Sequence, residues 1–467
     1  MFIITKFILF FNYFCMAFTI LLSLVYLAQL IVSFFKIKND NKFKRSADYD
    51  KYGDSDNLLP ISILIPAYNE QENIVHNIKS LLNINYPEFE LIVVNDGSTD
   101  NTHFNVIESF GLYKIESSFK VSISTQKIKG VYYNTKYPNL IYIDKDNGGK
   151  SDALNAGVNA AAYPLFVCLD ADSRIEKDAL LRLGEEFIKN TDTVVTGGIV
   201  RIANGSIVEN GVWEGFKIPE KMIERFQIVE YFRSFLAGRI SWGMTNSLLI
   251  VSGAFGVFKK QVVIDVGGYK NDTVGEDMEI VVRIHKYMMQ NKKKYLISFC
   301  QDAVCWTQGP RELNDIRGQR RRWQIGLMDT LITHRSMLLN PRYKMVGLFA
   351  VPYNWIFELF GAVVEVLGYF VIPFTMLMGQ LNAFFFILYW LMATMLGIAL
   401  SIGGLILEQY MKKGCMNAKQ GMQMSKYAIL ENFGYRQLIT IFRVEGMLKY
   451  RKLRSTWGDI KRREFNQ

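Results

Sequence analysis

Between residues 60 and 334 the chain alternates short β-branched apolar runs with stretches of helical pattern. The runs are ISILIPA (61–67), LIVVND (91–96), LIYID (140–144) and LFVCLDAD (165–172). Helical patterns cover 72–82 and 149–162 between them. Strands separated in this way predict an α/β domain with a mostly parallel sheet. Such sheets bind ligands beyond the carboxyl ends of their strands. Polar clusters stand at three of those ends: AYNE after the first run, NDGSTD after the second and DADS after the fourth. Three on one edge predict a site. No GxGxxG follows the first strand, and no GxxxxGK precedes a Ser or Thr. Dinucleotide and P-loop readings therefore lack their phosphate cradle.

The flanks carry a different pattern. Residues 7–35 hold no charge, which is longer than the roughly 20 residues a helix needs to cross a bilayer. A cleaved signal peptide has a shorter apolar core, so a retained anchor is expected over 1–45. Lys36, Lys38, Lys42, Lys44 and Arg45 follow it, against Lys6 alone before it. The positive-inside rule then places the next domain, expected over 55–340, in the cytoplasm. A second charge-free stretch covers 366–407 and is interrupted near 379–382. It predicts two spans, 352–377 and 382–406, within a membrane segment 341–410. Glu358 and Glu365 fall in or near the first. They face protein or a wet path, or else sit at the interface. Two spans return the chain to the side carrying its basic tail (411–467), in which 427–448 reads as an amphipathic helix on the membrane surface.

Half of the residues are hydrophobic and the net charge is +10. The basic excess admits nucleic acid, anionic lipid or a phosphorylated substrate. Its concentration beside apolar spans favours the last two, and no nucleic-acid partner is expected. The five cysteines form no CxxC pair and the four histidines are scattered, so neither a disulfide framework nor a zinc site is indicated. A bound metal would be a hard ion held by oxygen.

VCLDADS places Asp170 and Asp172 one residue apart at a strand end. Two like charges there repel and each costs free energy to desolvate. A divalent ion bridging to a diphosphate would neutralise both, since Mg2+ binds through one or two carboxylates plus phosphate oxygens. An Asx-turn with solvated acids is the alternative. Likewise, GEDMEI is either a site of acid–base chemistry or a set of acids favoured at a helix N-terminus. GQRRRWQ is either an anion-binding helix or a basic surface against lipid.

Taken together, ISILIPAYNEQENI (61–74), NDGSTD, NGGKSDALNAG, DADS, GED and QRRRW (319–323) resemble the membrane-embedded processive family 2 glycosyltransferases: hyaluronan, chitin, cellulose and poly-N-acetylglucosamine synthases. EYFRSFLAGR (230–239), SGAFGVF (252–258) and GEDMEIVVRIH (275–285) point to the poly-N-acetylglucosamine type, and the cellulose-type FFxxG is not found as an acceptor-channel motif. The resemblance implies a GT-A nucleotide-sugar-binding fold flanked by transmembrane helices. It implies that Tyr68, Glu70 and Asp96 hold uridine and that Lys150 positions the nucleotide sugar. Asp170 and Asp172 would carry Mg2+ or Mn2+, and Asp277 would be the general base. Glu276, Gln319, Arg320, Arg322 and Trp323 would lie at the acceptor and diphosphate end.

The implied activity is inverting transfer from a UDP-sugar to a growing polysaccharide at the inner membrane face. Three spans make a thin channel, so a partner subunit or homo-oligomer is a further expectation. Transfer of one sugar to a lipid-linked acceptor is the alternative within enzymes. A non-catalytic nucleotide-sugar receptor is the alternative outside them. NGS (204–206) matches a glycosylation acceptor but reads as a turn on the cytoplasmic side. The stretch 110–138 reads as an insertion between strands, and 455–464 as a tail element without a derivable role.

Overall fold

The computed structural model describes residues 2–43, 57–116, 119–209, 212–379, 383–411 and 413–454. A ten-stranded sheet forms the centre. Four adjacent strands in it are parallel, as the alternating pattern predicts. Ile61–Ala67 pairs in parallel with both Phe89–Asp96 and Leu165–Leu169, and Phe89–Asp96 pairs in parallel with Leu140–Lys145. The sheet turns mixed beyond Leu165–Leu169, where Phe255–Lys259 inserts antiparallel between it and Thr193–Ile202.

The four parallel strands are buried on both faces, which explains their continuous apolar runs. Helices Ile74–Leu81, Thr102–Phe110 and Ala179–Lys189 cover one face through Ile78, Val106 and Leu183. Helices Lys150–Ala160 and Glu276–Gln290 cover the other through Leu154, Ile280 and Ile284. The stretch read as an insertion instead supplies two strands, Tyr113–Ile115 and Ile128–Tyr133, which extend the sheet antiparallel at its edge.

Among the described residues three helices are long and apolar enough to cross a membrane: Phe10–Asn41, Val346–Leu377 and Phe386–Tyr410. The interruption near 379–382 begins at Gly379, whose φ of 65° ends the helix, and 380–382 lie outside the described residues. The spans dock on the α/β domain at one side. Gln301 Nε2 of the sheet donates to Asp40 (3.2 Å), and the neighbouring Asn41 Nδ2 ties the first long helix to the last through the Tyr410 carbonyl (2.9 Å). Arg201, from the sheet, makes a buried ion pair with Glu408 at 2.8 Å. Ile37, Leu405, Leu407, Ile228 and Trp306 pack around that junction.

The segment read as one amphipathic helix is broken. Helices Ala418–Leu430 and Tyr435–Leu448 meet at Gly434, whose φ is 99°. Tyr435, Ile439 and Phe442 of the second bury against Ile316 and Phe226. Part of the apolar surface is thus packed on protein, while Ile429, Leu430, Phe433, Ile441 and Leu448 stay exposed. The basic residues Lys44, Arg45 and Lys412 and the tail 455–464 lie outside the described residues.

Candidate functional site

Parallel strands bring the AYNE, NDGSTD and DADS loops to one edge. The first two are stitched together. Asn69 Oδ1 accepts from the Thr99 amide (2.8 Å), Thr102 Oγ1 from the Glu70 amide (2.7 Å) and Asp100 from the Gln71 amide (3.2 Å). Tyr68 projects from this seam and is 46% exposed, while Glu70 is buried.

Asp96 turns inward. Its carboxylate accepts from Lys145 Nζ (2.5 Å) and from the amides of Gly148 (3.0 Å) and Gly149 (2.7 Å). Lys145, fully buried, also pairs with Asp152 at 2.6 Å. The loop leading to Lys150 is thus held by an ionic cluster beneath it. Lys145 was not marked in the sequence, because a lysine at a strand end reads as a solvated charge until burial is known.

Lys150 opens its helix and reaches across to the fourth strand. Its Nζ lies 2.5 Å from Asp170 and 3.8 Å from Glu276. Burial pulls the Lys150 ammonium down, but Asp170 and Glu276 outweigh it and raise the group above its ordinary value. The turn 170–173 is closed by the Ser173 amide on the Asp170 carbonyl (2.9 Å), and buried Asn77 Nδ2 donates to the Ala171 carbonyl (2.8 Å). Both acids are therefore presented from a pinned backbone. Enclosure and the Asp170 charge push the Asp172 carboxyl up to about 7. Burial likewise pushes Glu276 up to about 7, with Lys150 pulling it back and Asp277 adding to the rise. One lysine does not neutralise this many acids.

Asp277 sits in the first turn of its helix. Its oxygens accept from the Met278 amide (2.8 Å) and, weakly, from the Gly253 amide (3.4 Å). Asp170, Asp172, Lys150, Glu276 and Asp277 line one cavity of about 700 Å³.

The QRRRW helix, Leu313–Thr333, forms another wall. Gln319, Arg322 and Trp323 line the cavity, and Arg322 acts electrostatically on Asp172 and Glu276. Arg320 does not join them: it is buried, pairs with Glu230 at 2.8 Å, and lies 4.2 Å over the Trp323 ring. Tyr68, Glu70 and Asp96 stand outside this cavity, at the neighbouring strand ends. The cavity continues to Tyr26, Glu358 and Glu365 of two of the long apolar helices. Glu358 accepts from Tyr26 (2.9 Å) and Tyr353 (3.0 Å) and pairs with Arg443 (3.1 Å), while Glu365 accepts from Thr440 (2.9 Å). Both glutamates face protein.

The donor set fits a hard divalent ion. Two carboxylates one residue apart carry more negative charge than Lys150 offsets. Among the described residues no group of three or more His, Cys, Asp or Glu side chains could hold an ion alone. Diphosphate oxygens would complete the shell.

The family model described as Glycosyl transferase family group 2 matches residues 165–402, and Glycosyl transferase family 2 matches 62–114. The chain belongs to glycosyl transferase family 2. This family 2 glycosyltransferase is 29% identical over 297 residues to a poly-beta-1,6-N-acetyl-D-glucosamine synthase of Staphylococcus epidermidis, covering 63% of the chain and 61% of that relative. It is 27% identical over 305 residues to the synthase of the same name from Staphylococcus aureus strain COL, covering 65% of the chain and 63% of the relative. The chain thus matches less than two thirds of the length of these relatives. Among solved structures, a mannosyltransferase from Pyrobaculum calidifontis, in complex with GDP-Man and Mn2+, superposes with a TM-score of 0.52 at 15% identity. That match covers 94% of this chain and 99% of the other. The fold is of the GT-A type.

Proposed function

We propose that the chain transfers a sugar from a UDP-sugar to a growing polysaccharide at the cytoplasmic membrane face, with inversion, and that the product is of the poly-N-acetylglucosamine type. The single observation that carries this reading is the cavity. It joins the acids at the strand ends to polar groups between the long apolar helices, so an acceptor held at Asp277 has a path, part polar and part apolar, toward the bilayer.

The chemistry follows from the side chains. Asp277 takes the proton of the acceptor hydroxyl, a role worth roughly 10²–10⁴-fold in rate. The freed oxygen forms a bond to the anomeric carbon from the side opposite the diphosphate. The bond from that carbon to the diphosphate oxygen breaks, and UDP leaves with the electron pair. With no protein nucleophile in the step, configuration inverts. Lys150 and Arg322 hold the charge that develops on the leaving group, the arginine with a geometry suited to phosphate. Asp170 and Asp172 would hold Mg2+ or Mn2+, which as a Lewis acid supplies neutralisation of the diphosphate. Trp323, 45% exposed at the cavity wall, offers a flat face to a sugar ring.

Product length tests the reading. Membranes containing the protein, given radiolabelled UDP-N-acetylglucosamine, are expected to yield polymer on gel filtration that a β-1,6-specific hydrolase digests. Recovery of single-sugar lipid alone would refute the polymerase.

A further inference from the structure

The motif EYFRSFLAGR has no part in the chemistry above, yet it is built unusually. Residues Met222–Phe232 are α-helical, Arg233–Arg239 form a π-helical segment and Ile240–Met244 return to α. Widened turns of this kind are uncommon and frequently mark functional sites. They displace the following side chains around the axis relative to an unbroken α-helix. Here the segment is clamped from outside: Ser33 Oγ of the first membrane helix donates to the Ala237 carbonyl at 2.9 Å. Both of its arginines line the cavity that holds Asp277. They differ in their partners: Arg233 is neutralised by Glu431 at 2.6 Å, whereas Arg239 has no ion pair of this kind among the described residues.

The Arg239 guanidinium is poised rather than paired. Its Cζ stacks 3.8 Å from the centre of the Phe235 ring, which fixes its plane. Its Nη1 is buried and has no hydrogen-bond partner among the described residues. A buried donor left unpaired is costly. An arginine held flat on an aromatic ring with a free Nη1 donor is suited to receive an oxygen ligand. Among charged groups, Asp277 acts on it, and the Tyr231 ring stands beside it. It is thereby placed with Asp277 and the aromatic wall of the cavity.

We infer that Arg239 binds the acceptor saccharide, donating from its unpaired Nη1 to a hydroxyl or amide oxygen of the sugar whose free hydroxyl is presented to Asp277. The inference rests on the reading of Asp277 as base and of the cavity as an acceptor site. Arg239 is then a binding residue for the acceptor and has no role in holding the nucleotide. The π-helical segment is the device that aims it.

The test uses the full-length protein in membranes, UDP-N-acetylglucosamine as donor and a β-1,6-linked N-acetylglucosamine tetrasaccharide as acceptor probe. Arg239→Ala is expected to raise the KM for the tetrasaccharide about tenfold or more and to leave UDP affinity within about twofold. Millimolar guanidinium is expected to restore part of the lost rate. Arg239→Lys, which keeps the charge but not the planar fork, should remain impaired toward the tetrasaccharide, and it carries the test alone if the alanine variant does not fold. An unchanged KM for the tetrasaccharide, or an equal loss of UDP affinity, would overturn the inference while leaving the proposed reaction standing. A wild-type protein that elongates no saccharide would remove the proposed reaction itself, and the inference with it.

Discussion

Gly275 and Gly326 touch backbone to backbone: a Cβ on Gly275 would lie 2.6 Å from the Gly326 Cα, and one on Gly326 would lie 2.7 Å from the Gly275 Cα. Neither glycine needs an unusual backbone here; each is required by space. Their contact seats the QRRRW helix against the N-terminus of the helix bearing Glu276 and Asp277, and so sets how far Arg322 stands from the acids. Gly326→Ala is expected to destabilise the protein by about 1–3 kcal/mol. It should also slow transfer by about 10²-fold, because a displacement near 1 Å is enough to do so. Thermal unfolding and initial rates in the same preparation separate the two effects.

Asp277→Asn removes the proposed proton acceptor while keeping the side chain's size. Turnover is expected to fall by roughly 10²–10⁴-fold with UDP binding nearly intact, measured by calorimetry on purified protein. Wild-type turnover in this variant would exclude Asp277 as the base.

Chelation of divalent ions is expected to stop transfer, and Mn2+ or Mg2+ to restore it. Asp172→Asn should weaken that restoration by shifting the required metal concentration upward. A full rate in excess EDTA would refute the role given to Asp170 and Asp172.

Arg201 and Glu408 form a pair that is almost wholly buried where the sheet meets the last long apolar helix. Removing one partner leaves a charge stranded, at a cost of about 3–5 kcal/mol. Arg201→Leu should therefore unfold at lower temperature, while replacing both residues by apolar ones should recover much of the loss.

His285 is fully buried, with its ring on the Leu248 carbonyl (2.9 Å) and the Tyr295 hydroxyl (2.7 Å). Burial lowers its pKa from 6.5 to about 4. The unfolded chain thus binds the proton more readily, and stability falls as pH drops from 6.5 through about 4. The loss attributable to this one group reaches about 3 kcal/mol at most. Thermal unfolding across that range should show the slope, and His285→Gln, which does not titrate, should flatten it.

Much of the fold was legible in the pattern because both faces of the central strands are covered. That makes Ile61–Ala67, Phe89–Asp96 and Leu165–Leu169 apolar throughout and leaves polar residues only at their ends. The edge strands 113–115 and 128–133 were not legible, because half-exposed edge positions carry a mixed pattern that reads as loop. The break at Gly434 was hidden for a related reason. Apolar residues on either side keep a helical spacing, so one amphipathic helix and two packed helices look alike.

By itself the sequence determined the α/β alternation, the long apolar stretches and the grouping of acids at strand ends, since these depend on local periodicity and on which residues follow which strand. The tertiary structure alone decided which of those groups meet. It sent Arg320 to Glu230 and Arg322 to the acids, though only two positions separate them on one helix. It buried Lys145 beneath Asp96 and turned Arg239 into the cavity. Those outcomes depend on helix rotation, on a widened turn and on two glycines in contact, and such relations between distant segments leave no mark in local spacing.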